Sequence, residues 1–123
     1  MKLLTPFGKA MRKYRVDLGE TQMEVARAIS VSVAFLSAIE TGKKNVPDKV
    51  FSRIVTHFGL STAEIDSMKH LAWISQKEVK INMQKLDNRG RELVAGFARR
   101  FEEQQIDEEQ LRRLREIFEM EGK

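Results

Sequence analysis

Residues Thr21 to Glu40, TQMEVARAISVSVAFLSAIE, constrain the fold more than any other part of this chain. Thr21 followed three residues later by Glu24 is a capping box, the start signal of a helix. Ile29-Ser30-Val31 interrupts the pattern, and Ser32 caps a second short helix that ends near Glu40. Val25, Ala26, Ile29, Leu36 and Ile39 form the inner face of the pair. Helices this short are not stable alone in water, because nucleation costs more than a few backbone hydrogen bonds return. The pair must therefore be pinned into a small bundle, from whose surface the second helix projects.

The surrounding sequence supplies that bundle. Thr5-Pro6 is a helix start, a hydroxyl cap followed by the residue whose missing N–H costs nothing at the first helical position. Phe7, Met11, Tyr14 and Leu18 recur at helical spacing, and Gly19 ends that helix. Pro47 opens a helix from about Asp48 to Phe58, with Val50, Ile54, Val55 and Phe58 on one face and Gly59 as its stop. Ser61 with Glu64 is a second capping box, and Ile65, Met68 and Ala72 continue the stripe to about Ser75. From Glu78 to Met83 the period changes: Val79, Ile81 and Met83 alternate with Lys80, Asn82 and Gln84, as in a short strand. A lone strand needs a partner, which the same strand of a second subunit would supply; a simple linker is the alternative. Asp87 to Gln104 reads as a helix with Leu93, Val94, Phe97, Ala98 and Phe101 on one face. Asp107 with Gln110 starts a last helix carrying Leu111, Leu114, Ile117 and Phe118, and the short link between the two suggests an antiparallel hairpin. The expected division is 1–75 and 76–123.

Charge is unevenly spread over the 123 residues. The net charge is +4, yet residues 1–60 hold ten Lys/Arg against five Asp/Glu, and residues 61–123 hold twelve against thirteen. The positive excess coincides with the helix pair and with the basic loop Thr41-Gly42-Lys43-Lys44-Asn45. A projecting helix beside cationic residues is the physical form of a major-groove reader, and a basic half suits the phosphate backbone of duplex DNA. Lys9, Arg12, Lys13 and Arg27 read as a solvated face. With no cysteine, disulfides and cysteine-based zinc sites are excluded. His57 and His70 lie thirteen apart and read as ordinary histidines, so neither a metal nor a cofactor is expected. No apolar run is long enough to span a bilayer, the N-terminal segment is too short and too soon broken by Pro6 for a signal peptide, and a cytoplasmic location is expected. No nucleophile–base arrangement or glycine-rich phosphate loop suggests an enzyme. Trp73 reads as core or interface, and Met68, Met83 and Met120 as packing residues.

The string Arg12…Arg15, Gly19, Thr21-Gln22, Ala26, Val31-Ser32, Leu36-Ser37, Ile39-Glu40, Gly42-Lys43, Pro47 resembles the Cro/lambda-repressor, or XRE, helix-turn-helix family over roughly residues 7–60. The resemblance implies a five-helix, all-α, lambda-repressor-like domain that binds DNA sequence-specifically, usually as a dimer on a palindromic operator. It implies that Glu40 pairs with Arg15 as a structural link between helices. It implies that Gln22, beside the cap Thr21, holds a DNA phosphate, and that Thr41, Lys43, Lys44 and Asn45 contact the backbone. The base-reading face would be Ser32, Val33, Ala34, Ser37 and Ala38, with Phe35 against the sugar–phosphate edge or beside a base. Here the chain departs from well-known members, which place amides on this face. Val33 and Ala34 lack bidentate hydrogen-bonding groups and suit thymine methyl groups instead, so readout should lean on methyl contacts, backbone contacts and DNA shape.

One such unit covers one half-site, so specific binding needs two. The strand or linker and the C-terminal hairpin are the expected coupling device, with Val79, Ile81, Phe97, Phe101, Leu114 and Phe118 lining a homodimer interface. The sequence-level expectation is a dimeric transcriptional repressor. Two alternatives remain open: an antitoxin whose C-terminal segment binds a toxin partner, and a protein-interaction adaptor without DNA binding.

Overall fold

Local side-chain chemistry starts almost every helix. In the computed structural model, which describes residues 3–121, α1 (Pro6–Asp17) begins at Thr5, whose side chain accepts from the Gly8 N–H. α2 (Gln22–Ala28) begins with the full capping box of Thr21 and Glu24, and α3 (Val33–Glu40) with Ser32, whose side chain accepts from the Phe35 N–H. α4 (Asp48–Phe58) follows Pro47 and stops at Gly59, which is left-handed at φ +62°. α5 (Thr62–Ile74) starts with the capping box of Ser61 and Glu64. α6 (Asn88–Glu102) is capped by Asp87, and the first turn of α7 (Glu108–Glu121) by reciprocal bonds between Asp107 and Gln110. The fold is all-α, and no strand occurs among the described residues. The alternating segment around Val79 to Met83 is an irregular connection, the linker alternative. Among the described residues of one chain no neighbouring strand lies beside it, and the expected partner was the same segment of a second subunit.

The chain divides into two units, Met1–Val79 and Lys80–Lys123. The first holds α1 to α5 around a core of Phe7, Met11, Val25, Ala26, Ile29, Leu36, Ile39, Val50, Ile54 and Met68. Tyr14, Val31, Phe35, Val46, Phe51, Phe58, Leu60, Leu71 and Ala72 close its edges. Two side chains depart from expectation. Leu18 is 56% exposed because α1 has already ended and Leu18 is its C-cap; Trp73 is 55% exposed and takes no part in the core. Met68 packs in the core as expected, Met83 is half-buried, and the side chain of Met120 lies outside the described residues.

Polar links tie the helices of this unit together. The Phe7 N–H at the start of α1 donates to the Ser75 hydroxyl at the end of α5 (3.0 Å). Both the N–H and the hydroxyl of Thr5 donate to the Glu40 carbonyl (3.0 and 3.1 Å). This approach explains Gly8: a Cβ there would stand 2.0 Å from the same carbonyl oxygen. α1 can lie against the end of α3 only with glycine at that position.

The second unit is built differently. None of its described residues is buried; Met83, Leu86, Val94, Phe97, Ile106 and Leu114 are half-buried. Phe97 and Phe101 stack within α6 at 6.2 Å, and Arg112 and Arg113 pair with Glu109 and Glu116 along α7. Leu93, Phe101, Leu111, Ile117 and Phe118 stay exposed. No single described helix in either unit is long and apolar enough to cross a membrane.

Candidate nucleic-acid interface

The helix pair is set by its turn. α2 ends at Ile29, and Ser30 takes the left-handed conformation at φ +59°, letting the Val31 N–H return to the Ala26 carbonyl at 2.9 Å. This is the Schellman closure, with serine where glycine is usual. The two helix axes bend by 103° at the break, within the roughly 90–120° of helix-turn-helix units.

The far end of α3 is held by charge. The Glu40 side chain is 1% exposed, yet its carboxylate is fully engaged. Arg15 of α1 donates to Oε2, and Gln22 of α2 donates to Oε1 at 2.9 Å. One buried carboxylate thus joins three helices. Burying it is tolerable because both oxygens have donors and Arg15 supplies the opposite charge. The Arg15–Glu40 pair is present as the resemblance implied. The link to Gln22 is a second role for a side chain read only as a phosphate ligand, and it commits one amide N–H to the protein interior.

After α3 the chain turns through Thr41 and the left-handed Gly42 (φ +79°). The Lys43 and Lys44 N–H groups both return to the Ala38 carbonyl (2.9 and 3.2 Å), and the Thr41 hydroxyl donates to the Ser37 carbonyl (2.9 Å). Gly42 is buried, and a Cβ there would meet the Thr5 methyl at 2.8 Å. The basic loop is therefore pinned to the helix it follows. Its side chains Lys43, Lys44 and Asn45 are exposed, and the Lys44 ammonium sits 5.9 Å from the centre of the Phe35 ring, a cation–π distance. This places a cation beside the first turn of α3.

The expected reading residues separate into two sets. Ser32, Val33 and Ala34 are exposed, on the leading end of the helix. Ser37, Ala38 and Thr41 are half-buried further along. Phe35 is half-buried against the core under Lys44, which leaves it less free to insert beside a base than its position suggested. Thr21 is exposed, with its hydroxyl accepting from the Glu24 N–H. Away from this face, His57 Nε2 lies 2.8 Å from Glu20 Oε1, joining the end of α4 to the α1–α2 connection, while His70 is exposed.

Three carboxyl or phenol groups are shifted by their surroundings. Glu24 and Glu64 are held below the ordinary carboxylate value, chiefly by the N–H groups of Thr21 and Ser61. Tyr14 is pushed up, first by burial and then by the neighbouring Glu64, to which its hydroxyl donates at 3.3 Å. All three lie at helix starts or on the scaffold, not on the leading end of α3.

A family profile described as "Helix-turn-helix domain" matches residues 6–68, just over half the chain. The chain belongs to the helix-turn-helix domain family. Within it, the resemblance to the XRE type stands, and the fold and family are those of DNA-binding transcriptional regulators. The matched span runs from the first residue of α1 to the Met68 core residue of α5, so the family domain is the core-bearing part of the first unit. Among solved structures, the clp gene regulator ClgR from C. glutamicum is similar at 29% sequence identity, over 61% of this chain and 92% of that one, with a TM-score of 0.46. A search of curated proteins returned no match.

Proposed function

We propose that this helix-turn-helix protein is a sequence-specific transcriptional regulator that binds a palindromic operator as a dimer and represses by occluding a promoter. The exposed first turn of α3, with Lys44 beside it and the basic loop pinned to the same helix, carries this reading. Ser32, Val33 and Ala34 enter the major groove, while Lys43, Lys44 and Asn45 hold phosphates and set the register without reading sequence. Residues 76–123 act as the dimerisation segment. None of the described residues in this segment is buried, and Ile117 and Phe118 are more than half exposed. A second copy covering these side chains removes apolar surface that one chain leaves in water.

The test is duplex binding by fluorescence anisotropy between 50 and 200 mM salt. Affinity should fall steeply with salt, because each neutralised phosphate contributes roughly −0.9 to the log–log slope. Lys43→Ala with Lys44→Ala should weaken binding to all sequences alike and flatten the slope by up to about 1.8. Absence of duplex binding even at low salt would overturn the DNA-binding assignment. A light-scattering mass of a single chain at micromolar concentration would overturn the dimer.

A further inference from the structure

Sequence discrimination in the major groove ordinarily relies on side chains that make two hydrogen bonds to one base edge. The outward face of α3 holds none. The Ser32 hydroxyl oxygen accepts the capping bond from the Phe35 N–H at 3.0 Å, which leaves its O–H as a single donor and not a bidentate group. The Thr41 hydroxyl donates to the Ser37 carbonyl. Gln22, the nearest amide in the motif, reaches inward to Glu40. Ser37 keeps a free hydroxyl, but it is a single atom on a half-buried residue. What the leading turn does present is aliphatic: Val33, 39% exposed, beside the exposed Ala34. In the major groove the apolar feature that distinguishes one pyrimidine from another is the 5-methyl group.

We infer that Val33 reads the 5-methyl group of a pyrimidine, with the small Ala34 beside it leaving room for close approach, so that a methyl and not a hydrogen-bond pattern carries the specificity of α3. The inference rests on the DNA-binding reading and adds the chemical group recognised. Thymine and 5-methylcytosine carry that methyl at the same place in the groove, so the protein distinguishes methylated from unmethylated cytosine at the contacted step.

The test starts from the duplex preferred among random sequences. Each thymine is replaced singly by deoxyuridine, which keeps base pairing and removes only the methyl. Burial of one methyl-sized group predicts about a fourfold loss of affinity at the contacted position in each half-site. At that position, 5-methylcytosine should bind about fourfold better than cytosine. Val33→Ala should abolish both differences while leaving the helical circular-dichroism signal unchanged, since Val33 is 39% exposed. Equal affinity for thymine and deoxyuridine at every position, on a duplex still bound with the expected salt dependence, would overturn the methyl reading alone. A deoxyuridine penalty that persists undiminished in Val33→Ala would show that another group makes the contact. Failure to bind any duplex at low salt would instead remove the DNA-binding assignment beneath it.

Discussion

Replacing Arg15 by alanine should do more damage than most single changes in this protein. The guanidinium is 13% exposed and the Glu40 carboxylate it meets is 1% exposed. Arg15→Ala leaves that carboxylate buried with Gln22 as its one side-chain donor and no compensating charge. Breaking a buried pair in this way costs about 3–5 kcal/mol, against a total of about 5–15 kcal/mol for a typical domain. At roughly 4–8 °C per kcal/mol for a unit of this size, the melting temperature should drop by about 12–40 °C. Glu40→Gln should cost less, about 1–3 kcal/mol, because Arg15 lies nearer the surface and can turn toward water. The double variant Arg15→Ala/Glu40→Gln should be more stable than Arg15→Ala, since the stranded charge is gone and the carbonyl of Gln still accepts from Gln22. Urea and thermal unfolding followed by circular dichroism give all three values. An Arg15→Ala cost below about 1 kcal/mol, or a double variant no more stable than the single, would refute the view that one buried carboxylate holds α1, α2 and the end of α3 together.

Two further changes probe the scaffold. Ser30→Gly should stabilise the protein by about 0.5–1 kcal/mol, because glycine relieves the left-handed strain at φ +59° and returns only part of the gain as chain entropy; a lower urea midpoint for the variant would contradict this. In acid, Glu24 and Glu64 should contribute measurably. Their folded values lie below the ordinary 4.5, so the unfolded chain takes up protons first and their stabilisation, present above that pH, is lost as pH falls through the folded values. Thermal midpoints measured from pH 7 to 3 should fall less for Glu24→Gln/Glu64→Gln than for the parent; parallel curves would count against the capping boxes as the source.

The helix starts were legible because their signals are local. Thr5, Thr21, Ser32, Ser61, Asp87 and Asp107 each bond the backbone N–H three residues on, and that chemistry is written in neighbouring residues. Features that depend on a distant partner were not. Nothing near Gly8 announces that the Glu40 carbonyl, 32 positions on, will occupy the space of its side chain. Gln22 looked like a phosphate ligand, and its inward bond to Glu40 needed the crossing of α2 over the end of α3. Ser75, merely the end of a helix in sequence, anchors the first N–H of the core at Phe7. Val79 to Met83 is a different case: alternation describes a strand's faces but not the neighbour that makes it a strand, and within the described residues of one chain the segment has no ladder partner.

The account turns on which surface meets DNA, and amide chemical-shift mapping during titration with a short duplex reports it directly. The largest changes should fall on residues 32–38 and 41–45, the leading turn of α3 and the basic loop pinned to it. Changes confined to α6 and α7, or scattered evenly over the molecule, would contradict it.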